Sequence, residues 1–260
     1  MLLNIDINVI NDLYLMSILL LLFVTFIAAS LQAATGFGFG IVAVSAFLIL
    51  LKSTAAVQIV IILTLAMSVI HWLKVRSLAP KFLVKQLIIG CFIGYPIGVM
   101  LFYLADIDTL KFAVAILILL MAVQNLIERF RNRNDEAMFL PMNQKLCAFV
   151  GTISGTMASA LAMPGPAVVS YLTQCELDKN AIRATVITTS TVSYSVSLIL
   201  QFSFVGIKTQ TWESSLMLLP MVFAGLFFGE YISKFINPKL FKNITLFVLV
   251  ASGINILATL

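Results

Sequence analysis

The feature that most constrains this chain is the repetition of long apolar runs. Mostly apolar stretches occur at 13–31, 54–73, 82–105, 110–127, 144–162, 181–204, 214–235 and 240–257. About twenty such residues make a helix long enough to cross the ~30 Å hydrocarbon core of a bilayer. Inside hydrocarbon there is no water to satisfy backbone N–H and C=O groups, and a helix satisfies them within one segment. Composition agrees: 61% of the 260 residues are hydrophobic and 10% are charged, against roughly 25% charged in soluble domains. So few ionisable residues cannot coat a soluble core of this size. That excludes a soluble enzyme, a disordered chain and a disulfide-stapled secreted domain. The expected fold is all-α: a polytopic membrane protein whose first partner is the lipid bilayer.

Two further apolar runs, 41–51 and 167–173, are too short to span. Each follows a helix-breaking cluster, Gly36, Gly38 and Gly40 in one case and Pro164-Gly165-Pro166 in the other. They read as half-helices. The hydrophilic stretch 128–143 divides the chain into an N-terminal membrane repeat (1–127), a cytoplasmic linker (128–143) and a C-terminal membrane repeat (144–260). Each half holds a long run, a broken turn, a short run and three full spans. Broken segments at corresponding positions of two halves point to a transporter binding site. The first run has small residues at Ala28, Ala29 and Ser30 that mimic a signal-peptide cleavage site. It lacks a basic start, however, and carries Asp6 and Asp12, so it reads as a retained helix.

Positive charge supplies an expected topology. Lys74, Arg76, Lys81 and Lys85 form one basic loop, Arg129, Arg131, Arg133 and Lys145 a second, and Lys234, Lys239 and Lys242 a third. Placing all three in the cytoplasm puts Asp106, Asp108 and Lys111, and also Lys208 and Glu213, outside. Each half then crosses three times, the halves are inverted relative to each other, and both termini face outside. The net charge of +5 thus orients helices between apolar runs, and no nucleic-acid partner is expected.

Chemistry is expected at the two broken turns. In Gln32-Ala33-Ala34-Thr35-Gly36-Phe37-Gly38-Phe39-Gly40, glycine at alternate positions leaves backbone N–H groups uncovered just before a short helix. The first N–H groups of a helix have no internal partner and carry the positive end of its dipole, so such a terminus suits an anion. The spacing is not that of a dinucleotide fingerprint, and no Gly-Lys-Ser/Thr follows for a P-loop. The second turn offers the N–H groups of Gly165, Ala167 and Val168, with Pro164 and Pro166 stopping one helix and starting the next. Upstream, Gly151 and Gly155 form a G-x-x-x-G that permits close helix approach. Downstream, Asp178 reads as a helix cap, and Thr185, Thr188, Thr189, Ser190, Thr191, Ser193, Ser195 and Ser197 make the following span hydroxyl-rich. Thr185, Thr188 and Thr189 share one face. Arg183 could snorkel to lipid phosphates or meet an entering oxyanion. Glu230 pairs by spacing with Lys234, and His71 beside Trp72 reads as an interfacial anchor. Cys91, Cys147 and Cys175 are dispersed and His71 is the one histidine, so no metal site is expected and no catalytic constellation emerges.

Residues 151–197, carrying Ser154-Gly155, Pro164-Gly165-Pro166, Tyr171-Leu172, Lys179 and Arg183-Ala184-Thr185, resemble the second repeat of the TauE/SafE sulfite-exporter family. Residues 32–51 resemble that family's glycine-rich opening motif. Phe39 interrupts what is usually a run of glycines, and Ala55-Ala56-Val57 stands where the family has an Ala-Thr-Ser-like element. The resemblance implies a non-enzymatic exporter of small anions, notably sulfite and organosulfonates, in the bacterial cytoplasmic (inner) membrane, with no cofactor. The expected substrate-binding residues are Gln32, Thr35, Gly36, Gly38, Gly40, Pro164, Gly165, Pro166, Arg183, Thr185 and Thr189. Transport of another small solute such as a carboxylate, or a non-transport role in membrane assembly, are the alternative readings. A homodimer is compatible with either.

Overall fold

The computed structural model describes residues 7–36, 38–131, 143–175, 177–232, 253–256 and 258. Among them the chain forms α1 (Ile7–Thr35), α2 (Phe39–Leu51), α3 (Ala55–Val75), a 3₁₀ turn (Arg76–Leu78), α4 (Lys81–Leu104), α5 (Ile107–Arg131), α6 (Gln144–Leu161), α7 (Gly165–Leu172), α8 (Lys179–Phe204) and α9 (Thr209–Ile232). No strand occurs among the described residues. The two half-helices stand where the breaking clusters place them, as α2 and α7. The last expected span, 240–257, lies outside the described residues save for a helical turn at 253–256, and residues 132–142 of the expected linker also lie outside them.

Four helical segments among the described residues are long and apolar enough to cross a membrane: Leu15–Ala34, Ala55–Leu78, Lys81–Leu104 and Thr209–Ile232. With 26 residues, α8 is about 39 Å long, but its hydroxyl run makes it too polar for that set. Large apolar side chains face outward around the protein, including Phe23, Phe92, Ile93, Met100, Phe202 and Phe227. Water would not tolerate such a belt on a monomer, and bilayer hydrocarbon solvates it. The protein is a multi-pass membrane protein.

Local chemistry explains where the helices begin and end. Asn143 and Asp178 cap α6 and α8 by accepting the N–H groups of Lys145 and Asn180, each at 2.9 Å. Asp106 does the same for α5 through Thr109 N–H at 2.9 Å, and the Thr109 contacts hold this exposed carboxyl below its ordinary pKa. The first arm of each broken hairpin ends in a left-handed residue. Gly36 (φ 87) closes α1 and Ala162 (φ 56) closes α6, and each donates its N–H four residues back, to Gln32 O and Ala158 O.

Packing crosses between the halves of the chain. Helix α6 lies along α4, α1 lies along α9, and α3 and α8 meet in the middle. Glycines set both outer pairings. A Cβ on Gly151 or Gly155 would strike the backbone of Leu87 or Cys91, and one on Gly94 the backbone of Thr152 and Thr156. Close approach lets Thr152 and Thr156 donate across the interface to the carbonyls of Gly90 and Gly94, both at 3.2 Å. On the other side, Gly225 and Gly229 lie against Phe26, Ser30 and Ala33 of α1. The half-helix α2 is enclosed by these layers, with Phe39, Phe47 and Leu48 fully buried.

Candidate functional site

The two broken turns meet at the centre of the protein. Gly40, at the start of α2, touches the Ala162 carbonyl and lies close to Met163 at the second turn, leaving no room for a Cβ. The Tyr194 hydroxyl donates to that same Ala162 carbonyl at 3.2 Å, fixing it in place. Beside this contact is a cavity of about 20 Å³, enough for one water-sized group. Gln32, Gly36, Gly38, Gly40 and Ile41 line it from the first turn. Met163, Gly165 and Pro166 line it from the second, Ser68 and His71 from α3, and Ile187, Ser190 and Tyr194 from α8.

Six of the residues singled out from sequence therefore share one cavity: Gln32, Gly36, Gly38, Gly40, Gly165 and Pro166. Gly38 is the N-cap of α2 at φ 118, a conformation side chains resist. Gln32 reaches across the turn, its Oε1 accepting the Phe39 N–H at 3.0 Å. One of the first N–H groups of α2 is thereby capped, and Gln32 retains its amide NH₂ as a donor.

The other expected residues sit around this cavity without lining it. The Pro164 carbonyl accepts from Ser154 Oγ at 2.8 Å, which ties the second turn to α6. Arg183 lies over Gly36 and donates from Nη2 to the Ala33 carbonyl at 2.8 Å, so it caps the C-terminal end of α1. Thr185 is fully buried and donates to the Ala181 carbonyl one turn back, at 2.7 Å. Thr189 is fully buried with an unpartnered hydroxyl. The Thr35 side chain lies outside the described residues. The face of α8 that meets the cavity is Ile187, Ser190 and Tyr194, rotated from the Thr185, Thr188 and Thr189 face.

One sequence reading is corrected here, and a second residue gains a partner that its sequence neighbourhood did not suggest. His71 is not an interfacial anchor: it is 3% exposed and lines the cavity. Glu230 pairs with Lys74, at 2.7 and 2.9 Å, and lies 3.4 Å from His71 Nε2. The expected partner, Lys234, lies outside the described residues. The packing of α9 on α3 is what brings Lys74, 156 positions away, to this carboxylate. Ser68, Met163 and Ile187 carried no sequence signal. Ser190 did, within the hydroxyl run, and His71 did as the lone histidine.

Two half-helix N-termini, two serines and a buried imidazole surround one cavity, a lining whose donors suit a small polar solute. A model of the family described as Sulfite exporter TauE/SafE matches residues 21–256. The chain belongs to the sulfite exporter TauE/SafE family. The match takes in both broken turns and every residue of the cavity. This TauE/SafE protein is accordingly a membrane transporter, working in a lipid bilayer on a small solute. Comparison with curated proteins and with solved structures returned no match.

Proposed function

We propose that the chain exports sulfite and small organosulfonates across the bacterial inner membrane, with the central cavity as the anion site. The observation that carries this reading is the convergence of both half-helix N-termini on one small cavity. An anion leaving water loses its hydration and needs fixed donors in return. The backbone N–H groups at Gly40, Ile41 and Gly165, the Gln32 amide and the hydroxyls of Ser68 and Ser190 are the groups available to it. At about 20 Å³ the cavity is tighter than an oxyanion, so loading requires the two turns to part at the contact between Gly40 and Ala162.

The matched glycine contacts support an inverted-repeat reading. Phe26, Ser30 and Ala33 face Gly225 and Gly229 from the first hairpin arm, as Thr152, Thr156 and Ser159 face Gly94 and Gly98 from the second. In that arrangement both termini face outside and the basic loops face the cytoplasm. A thiol probe introduced at Asn4 is expected to react with an impermeant reagent from outside, and one at Asn134 to be protected. The opposite pattern overturns the inverted arrangement.

Function is tested by counterflow of radiolabelled sulfite into proteoliposomes, with taurine, other sulfonates and carboxylates as competitors. Competition by sulfonates but not carboxylates is expected. Competition by carboxylates alone would transfer the proposal to another substrate class. The hydroxyl that α8 gives to the site is assigned to Ser190, in preference to Thr185. A hydrogen bond to a charged group contributes about 1.5–3 kcal/mol, so Ser190→Ala should weaken sulfite binding roughly 10- to 100-fold. Thr185→Val should change binding far less.

A further inference from the structure

We propose that His71 is a proton-binding group that carries one proton together with each anion, with Glu230 as its counter-charge. The inference rests on the anion-site reading above and adds the coupling ion. Three side chains form a graded path from the protein surface to the cavity. Lys74 is 50% exposed, Glu230 31% and His71 3%. The Glu230 carboxylate is held by Lys74 Nζ on its outer side and stands 3.4 Å from His71 Nε2 on its inner side. His71 in turn lines the cavity with Ser68 and Ser190.

The imidazole is the anomaly. Among the described residues neither buried ring nitrogen makes a well-formed hydrogen bond, and Nε2 has only its 3.4 Å contact with Glu230. A histidine kept for packing bonds at least one nitrogen, since a buried unsatisfied polar group is costly. Here the Glu230 carboxylate stands 3.4 Å from Nε2, and the imidazole is part of the cavity lining. Among the described residues, the charged groups facing His71 are Glu230 on α9, Lys74 on its own helix and Arg183 on α8.

The proton balance is simple. Water at the Lys74 end supplies one proton, which passes by way of Glu230 to a ring nitrogen of His71. The imidazolium adds one positive charge to the cavity wall and so favours entry of one anion. When the anion leaves, the imidazolium loses its partner and gives the proton up to water on the side to which the anion departs. No bond other than N–H and O–H is made or broken, and for a monoanion the net charge moved is zero. Export then runs when the outward gradient of the anion exceeds the inward gradient of the proton, as it does when sulfite accumulates inside the cell.

The test is sulfite uptake by proteoliposomes enclosing a pH-sensitive dye, with external pH varied. In the wild-type protein, protons should enter with sulfite. On the alkaline limb, uptake should fall about tenfold per pH unit, as for one bound proton. His71→Gln keeps a polar side chain of similar length and should flatten this profile and abolish proton entry. Glu230→Gln, away from the cavity wall, removes the carboxylate opposite the imidazolium and should move the midpoint toward acid by about one unit. It decides the matter if the His71 variant fails to fold. A His71→Gln protein that keeps the wild-type slope and proton entry, or a Glu230→Gln protein with an unmoved midpoint, overturns the proposal. Wild-type sulfite flux with no proton movement also overturns it and leaves the anion-transport reading intact. Absence of sulfite flux at every pH overturns both.

Discussion

Leucine at position 40 is expected to abolish sulfite flux while the protein still reaches the membrane. Even the first carbon of a side chain there would collide with the Ala162 carbonyl and crowd Met163 Cγ at 3.4 Å. Neither neighbour can easily retreat. Ala162 is already in the left-handed region at φ 56, and its carbonyl is held by the Tyr194 hydroxyl. The remaining carbons of leucine would occupy the cavity itself. The collision at Gly40 is confined to one contact between two turns and not spread along a helix pair, so overpacking there costs about 1–3 kcal/mol of stability and lowers the melting temperature by several degrees. Flux should fall at least about 100-fold, because both the opening of the turns and the space for the anion are removed. Uptake per inserted protein is the measurement. Gly40→Leu protein with flux near wild type would make the turn a packing device and place the anion elsewhere.

A different outcome is expected at Gly94: Gly94→Leu should prevent stable folding. Its Cβ would collide with the Thr152 carbonyl and lie 2.7 Å from the Thr156 nitrogen, both rigid backbone groups inside α6. Separating α4 from α6 would also break the Thr152 and Thr156 bonds to the carbonyls of Gly90 and Gly94. In membranes each such bond contributes up to about 1–2 kcal/mol. The total loss should exceed about 4 kcal/mol, in the range where a single substitution unfolds a marginal protein. The monodisperse peak in size-exclusion chromatography should disappear. Gly206→Ala is the matched control: no atom lies within 4 Å of the added carbon, and only its φ of +83 is strained. That strain costs roughly 1–2 kcal/mol, so the Gly206→Ala protein should remain folded.

These two glycines mark how far the sequence could be read. The broken turns were legible because Gly38 and Pro166 act on their own backbone, and local backbone rules need no tertiary knowledge. The cap at Asp178 was legible for the same reason. The close approach of α6 to a neighbour could be read from Gly151 and Gly155, but not the identity of that neighbour, which is α4 from the other half. Tertiary proximity was illegible because it joins residues far apart in the chain. Glu230 has Lys74 as a partner, 156 positions away, which no helical spacing could indicate. On α8, hydroxyls occur on every face of the helix, so only its packing decides that Ser190, and not Thr185, meets the cavity. His71 was misread because its neighbour Trp72 suggested an interface, whereas α9 covers the imidazole and turns it inward.

The central claim is that one anion occupies the space between the two broken turns. Equilibrium binding of radiolabelled sulfite to the purified protein tests this most directly, because it needs neither a gradient nor a working transport cycle. One saturable site per chain is expected in the wild type, roughly 10- to 100-fold weaker in Ser190→Ala and absent in folded Gly40→Leu. Saturable binding that both substitutions leave unchanged, or no binding to the wild type at all, would contradict it.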